Sequence, residues 1–86
     1  MDAESREKRS ADALERTHRV RAALAESEEA RAEALELCRR PEVDAGDRAK
    51  MFAVLGNLDA SIASLRGALT ELEQTVEALT DPAGDA

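Results

Sequence analysis

The stretch MFAVLGNLDASIASLRGALTELEQTVEAL, residues 51–79, decides the fold of this chain. Its large apolar residues recur at alternating steps of four and three, the spacing of an uninterrupted heptad repeat, which predicts a long amphipathic helix. Positions a and d of this repeat form an apolar line along one side of the helix, here called the leucine seam. The leucine seam comprises Met51, Leu55, Leu58, Ile62, Leu65, Leu69, Leu72, Val76 and Leu79.

A second long helix is predicted upstream of the leucine seam. Residues 3–39 are rich in Ala, Glu, Arg and Leu, which are good helix formers. They contain neither Gly nor Pro, the two residues that most disfavour a helix. The apolar side of this helix is thin, and residues 25–33 contribute only alanine to it, so the helix needs a partner to be stable in water. The residues expected on that side are Ala13, Thr17, Val20, Leu24, Ala34, Leu35 and Cys38.

The two helices are expected to form an antiparallel hairpin. Arg40 precedes Pro41, and a residue before proline disfavours the helical conformation, so the first helix should end there. Asp44 is the expected N-cap of the second helix. A connection this short makes the helices antiparallel neighbours, which gives an all-α, coiled-coil type of fold. The predicted boundaries are helix one over about 3–39, a turn over 40–46, helix two over about 47–80 and a frayed tail over 81–86, in a single domain covering 1–86.

The charge pattern independently favours the hairpin. Residues 6–21 carry a local balance of +3, whereas residues 71–85 are acidic with no basic residue. An antiparallel arrangement brings these two segments together, although each exposed ion pair contributes only about 0–1 kcal/mol. The glutamates within 26–36 are expected to come near the basic residues of helix two, which are Arg48, Lys50 and Arg66.

A single hairpin leaves one side of the leucine seam in water, because helix one supplies few large side chains. The g positions of helix two are small or apolar where a simple two-stranded coiled coil usually carries charges, so more than one helix can lie against the seam. We therefore expect a homodimer of hairpins that forms a four-helix bundle, with the nine seam residues as the association interface. A heteromeric partner would satisfy the same surface. The g residues are Val54, Ser61, Ala68 and Thr75.

Composition narrows the classes of function. The net charge of −7 repels nucleic acid and anionic membranes, so neither is an expected partner. One cysteine cannot form an internal disulfide, and the first ten residues lack the apolar core of a signal peptide, which together favour a cytoplasmic protein. The excess of arginine over lysine, ten against two, is typical of a bacterial source with GC-rich DNA.

Three groups of residues in the sequence could carry chemistry. Glu15 and His18 form the Glu-x-x-His spacing of carboxylate-bridged metal bundles, but His18 falls about 130° from the apolar side and should face solvent. Cys38 is expected to be a buried structural thiol, and the basic segment 6–21 to be solvated and paired within the chain. No catalytic residue, cofactor or metal site is expected, so the chain is predicted not to be an enzyme.

The sequence therefore predicts a protein–protein interaction module that acts as an adaptor, regulator or assembly factor. One alternative is half of a secreted or chaperoned heterodimer of helical hairpins. In shape alone the hairpin is similar to the WXG-type secreted hairpins, although it has no Trp-x-Gly at its turn. A second alternative is a metal-binding helical bundle that uses Glu15 and His18.

Overall fold

The computed structural model describes residues 3–80, which form two long α-helices and no strand. Helix α1 spans Ala3–Cys38 and helix α2 spans Ala45–Thr80. They pack against each other along their lengths as a hairpin, which confirms the all-α hairpin expected from the sequence. The chain measures 62 × 18 × 14 Å, so it is a rod rather than a sphere.

The helices contact each other through two matching heptad seams. Every residue of the leucine seam is buried or half-buried, as the 4–3 spacing predicts. Helix α1 presents an equally regular line at every third or fourth residue, and every member of that line is also buried or half-buried. We call this line the α1 seam. It comprises Arg6, Ser10, Ala13, Thr17, Val20, Leu24, Ser27, Arg31, Ala34 and Cys38.

Asp44 determines where α2 begins. Its Oδ1 accepts a hydrogen bond from the backbone N–H of Asp47 at 2.8 Å, which is the expected N-cap contact. Helix α2 therefore starts at Ala45, two residues before the expected position 47, and α1 ends at Cys38, one residue before the expected 39. The predicted stop at Asp81 and the frayed tail 81–86 lie outside the described residues.

Arg48 joins the two helices at the turn. Its Nε donates to the carbonyl of Cys38 at 3.1 Å, and its Nη2 donates to the carbonyls of Arg40 at 3.2 Å and Val43 at 3.1 Å. A guanidinium is well suited to this position, because the last carbonyls of a helix have no partner within the helix and carry partial negative charge. Of the contacts expected between the glutamates of α1 and the basic residues of α2, the pair of Arg66 with Glu28 is present, whereas Arg48 donates to backbone carbonyls.

Candidate association surface

The leucine seam is only partly covered in a single hairpin. Leu55 and Ile62 are buried, with 6% and 5% of their surfaces exposed, but the other seven seam residues are half-buried. Among the described residues, no large side chain has less than 2% of its surface exposed. A core without a fully buried side chain is unusual for a packed domain, where central residues are enclosed on all sides.

The small side chains of the α1 seam explain this partial coverage. Alanine and serine occupy four of its ten positions, and they bring the helices together while supplying little apolar area. The hydroxyl of Thr17 donates a hydrogen bond to the carbonyl of Ala13 at 2.8 Å. Thr17 can therefore be buried between the helices, with 4% of its surface exposed. The α1 seam therefore positions α2 and leaves the outer sides of its leucines uncovered.

One of the two broad faces of the hairpin is crossed by ion pairs. We call it the charged face, and it contains the e positions of both helices, beside the a positions of the seams. Glu28 pairs with Arg66 at 3.8 Å, and Arg21 pairs with Glu73 at 3.4 Å. A third pair on this side of the hairpin joins the two helices near the turn. Its partners are Arg31 and Asp59.

These three ion pairs give little stability but make this face costly to cover. Between 40% and 65% of each side chain is exposed, so each pair contributes about 0–1 kcal/mol. An apolar surface that docked over them would have to remove six charged groups from water, and the desolvation cost often exceeds the attraction within each pair. Its two exposed large apolar residues, Leu14 and Phe52, lie at opposite ends of this face.

The opposite face has no charge over most of its length. It contains the g positions of both helices, and the half-buried d residues of the leucine seam lie beside them. A groove at the open end, lined by Arg16, Leu72 and Thr75 among others, shows that g positions of the two helices share this side. We call this surface the uncharged face, and define it by its g residues. They are Ala23, Ala30, Leu37, Val54, Ser61, Ala68 and Thr75.

Two large side chains mark the uncharged face near the turn. Val54 and Leu37 are 51% and 40% exposed, and both occupy g positions. Between them and the open end, the face continues through small residues and the exposed sides of leucines. The sequence located the half of this face that α2 supplies. The contribution of α1, through Ala23 and Ala30, depends on the register of the helices and was missed.

The outward side of α2 carries a line of small residues, all exposed and also spaced by four and three. Each of them offers little apolar area, so burying this side would contribute less than burying the leucines on the uncharged face. A Cβ built on Gly56 or Gly67 meets no other atom within 4 Å. This small-residue line comprises Ala49, Ala53, Gly56, Ala60, Ala63, Gly67 and Thr70.

Cys38 lies about 30 Å along α1 from the Glu15 and His18 pair. His18 is exposed, as expected from its position on α1, and the Glu15 carboxylate accepts from Arg19 one turn away. Cys38 is a buried free thiol with 4% exposure. Within residues 3–80, no three potential ligands come close enough together to hold a metal ion.

The basic segment 6–21 is paired within the chain in two places. Arg21 reaches Glu73 on α2, and Arg19 binds Glu15 on its own helix. The Arg21–Glu73 contact agrees with the expected meeting of the basic start of α1 with the acidic end of α2. Neither described helix combines the length and the apolar character needed to cross a bilayer.

Comparison with known proteins identifies no relative. The sequence matches no protein-family model, and neither a curated protein nor a solved structure shows significant similarity to it.

Proposed function

We propose that this chain is a non-catalytic protein–protein interaction module, a self-associating helical hairpin that acts as an adaptor, regulator or assembly factor. The observation that supports this most directly is the partial exposure of seven of the nine leucine-seam residues. Burying a leucine side chain fully contributes about 1.5–3 kcal/mol, and most of the seam has gained only part of that in a single hairpin. A second surface that covers the seam recovers the remainder.

The total surface area supports the same proposal. The chain exposes 6329 Å², whereas a compact monomer of 9.3 kDa exposes about 5,000 Å². The elongated shape accounts for the difference, because two helices side by side have no third layer to enclose their contact. Small chains that cannot enclose a core commonly gain stability by association.

A second copy of the hairpin is the partner that best fits these features. Two hairpins packed face to face form a four-helix bundle, in which each helix contacts two neighbours and the seam residues become central. Closed twofold dimers are the most common form of association among soluble proteins. A bound third protein would then use surfaces that remain outside the bundle, as an adaptor or assembly factor requires. The cytoplasm is the proposed compartment, since the buried free thiol of Cys38 suits a reducing environment.

The direct test measures mass and helix content together as the protein is diluted. Sedimentation velocity should give twice the chain mass of 9.3 kDa at micromolar concentration, and circular dichroism should show loss of helix as the dimer dissociates. A fully helical monomer that persists at the lowest measurable concentration would contradict the proposal.

Leu65→Glu tests whether the leucine seam is the contact. Leu65 is a half-buried d residue in the middle of α2, and a carboxylate there would be buried unpaired in the bundle. We expect this variant to be a poorly helical monomer. The milder Leu65→Ala should lower the free energy of unfolding by about 2–5 kcal/mol per copy.

The matched control is Ala63→Glu, which adds the same charge two residues away on the exposed outward side of α2. It should remain a dimer of nearly normal stability. The seam would be the wrong surface if Leu65→Glu stayed dimeric while Ala63→Glu dissociated.

A further inference from the structure

The charges of α1 are segregated along the edge of the uncharged face. This edge consists of the c positions of α1 together with its two g positions nearest the open end, Arg9 and Arg16, which are not part of the uncharged face. Toward the open end it is mainly basic, with one acidic residue, and toward the turn it is acidic. All of these side chains are exposed. The residues are Arg9, Asp12, Arg16 and Arg19 in the basic half, and Glu26 and Glu33 in the acidic half.

Twofold symmetry allows only two ways to place the uncharged faces of two hairpins together. In the parallel arrangement, the twofold axis runs along the helices, both turns lie at the same end, and α1 packs on the partner's α2. In the antiparallel arrangement, the axis crosses the helices, the turns lie at opposite ends, and α1 packs on the partner's α1. The two arrangements bury the same face but bring different charges together.

Resting on the proposed self-association, we infer that the second copy docks on the uncharged face in the antiparallel arrangement. The basic half of α1 then lies against the acidic half of the partner's α1. With the twofold axis near Ala23, Arg19 lies opposite the partner's Glu26, and the partner's Glu33 lies between Asp12 and Arg16. Both contacts occur twice. Charges at the edge of an interface fix orientation and register in this way.

The parallel arrangement matches these charges less well. It places Arg16 and Arg19 near only one acidic residue at the edge of α2, Glu71, because α1 and the partner's α2 then keep the register seen within the hairpin. The acidic half of α1 meets neutral residues, Asn57 and Ser64. The antiparallel arrangement therefore sets the basic half of the edge, with a net charge of +2, against an acidic half with a net charge of −2, whereas the parallel arrangement gives Glu26 and Glu33 no basic partner.

The antiparallel arrangement also brings α2 against the partner's α2, so the exposed sides of the d leucines pack on one another. The side of the hairpin that carries the g positions is 62 Å long and 18 Å wide and presents about 1,100 Å², of which the uncharged face, from Val54 to Thr75 on α2, supplies about half. A stable interface of standard size buries about 800 Å² per partner. A second copy that spans the hairpin therefore covers the uncharged face together with the open end of the same side, where Arg9 and Arg16 lie, and does not need the charged face.

Distance measurement between labels at the turns tests the orientation. A nitroxide is attached at Glu42→Cys in a Cys38→Ala background, because Glu42 is exposed at the turn and Cys38 is the only native thiol. The antiparallel arrangement places the two labels about 60 Å apart, close to the full 62 Å length of the rod. The parallel arrangement places them less than about 30 Å apart, since packed helices are separated by only 8–10 Å.

A short label distance in a dimer would overturn the orientation and leave the proposed self-association standing. The absence of any distance signal, with a monomer in sedimentation, would overturn both. Circular dichroism of the labelled protein checks that the two cysteine substitutions have preserved the helices.

A pair of adjacent substitutions tests which face is used. Ser61→Lys places a charge in the middle of the uncharged face and should raise the dissociation constant at least tenfold. Ala60→Lys places the same charge on the outward side of α2 and should leave it within a factor of two. If Ala60→Lys weakens the dimer and Ser61→Lys does not, the partner docks on the outward side, and the inference is wrong.

Discussion

Arg48 makes contacts that a lysine in its place would be unable to reproduce. Its planar guanidinium donates from Nε and Nη2 to three carbonyls that point in different directions around the turn. Lysine has a single flexible ammonium and offers no fixed fork of donors. The side chain belongs to α2 but satisfies the end of α1, so it couples the helices where the chain reverses.

We predict that Arg48→Met lowers the free energy of unfolding by about 1–3 kcal/mol, because three carbonyls lose a charged donor and must be solvated at a partly buried site. Arg48→Lys should recover less than half of this loss. Urea unfolding at a fixed protein concentration, followed by circular dichroism, measures both values. Lys50→Met is the control on the same helix and should change stability by less than about 0.5 kcal/mol, as exposed substitutions usually do. Equal losses for the variants at 48 and 50 would show that the carbonyl contacts do not matter.

The two helices differ in how much of their packing could be predicted from the sequence. The leucine seam was identified in full, because large apolar residues at 4–3 spacing have no other common explanation. The α1 seam was identified only in part. Four residues that continue its spacing were missed, because a hydrophobic pattern does not detect serine or arginine: Arg6, Ser10, Ser27 and Arg31. A search for 4–3 spacing alone, extended through polar residues, would have found them.

Helix α2 has two glycines that its packing does not require. We predict that Gly56→Ala and Gly67→Ala each stabilise the protein by up to about 1 kcal/mol per copy, because alanine has the higher helix propensity and the added Cβ meets no atom within 4 Å. The gains should add, since the positions are well separated along the helix.

Gly46→Ala is the comparison for these two substitutions. Its Cβ would lie 3.4 Å from the capping Oδ1 of Asp44, in the first turn of α2, so the gain should be smaller. Chemical unfolding of the single and double variants at equal concentration measures these effects. Dissociation caused by Gly67→Ala would mean that the glycine side of α2 is in contact with a partner.

At the scale of the whole molecule, the difference between the two faces arises only when the helices are combined. Neither helix alone separates charged from uncharged flanks along its full length. The antiparallel register brings Arg21 and Glu28 of α1 to the side where Glu73 and Arg66 lie on α2. The sequence predicted that one side of the seam would be wet. From α2 alone it indicated the side of the g positions, but it could not give the whole face, because the part that α1 supplies depends on the register of the two helices.

We predict that thermal unfolding depends on protein concentration, because folding and association form one equilibrium in the proposed dimer. A tenfold dilution lowers the free energy of the dimer by about 1.4 kcal/mol, which corresponds to a fall in Tm of about 3–6 °C for a bundle of this size. Circular dichroism melts over a hundredfold range of concentration measure this slope. A Tm that is independent of concentration, with full helix content, would indicate a hairpin that is stable alone.

The hairpin also determines where anything attached to the chain would project. Ala3 and Thr80, the first and last described residues, both lie at the end of the rod opposite the turn. A domain fused before Ala3 or after Thr80 would therefore leave each copy at the end opposite the turn. In an antiparallel pair these ends lie at opposite ends of the dimer, so the dimer would hold domains fused to its two copies about 60 Å apart. A parallel pair would instead gather all four attachments at one end.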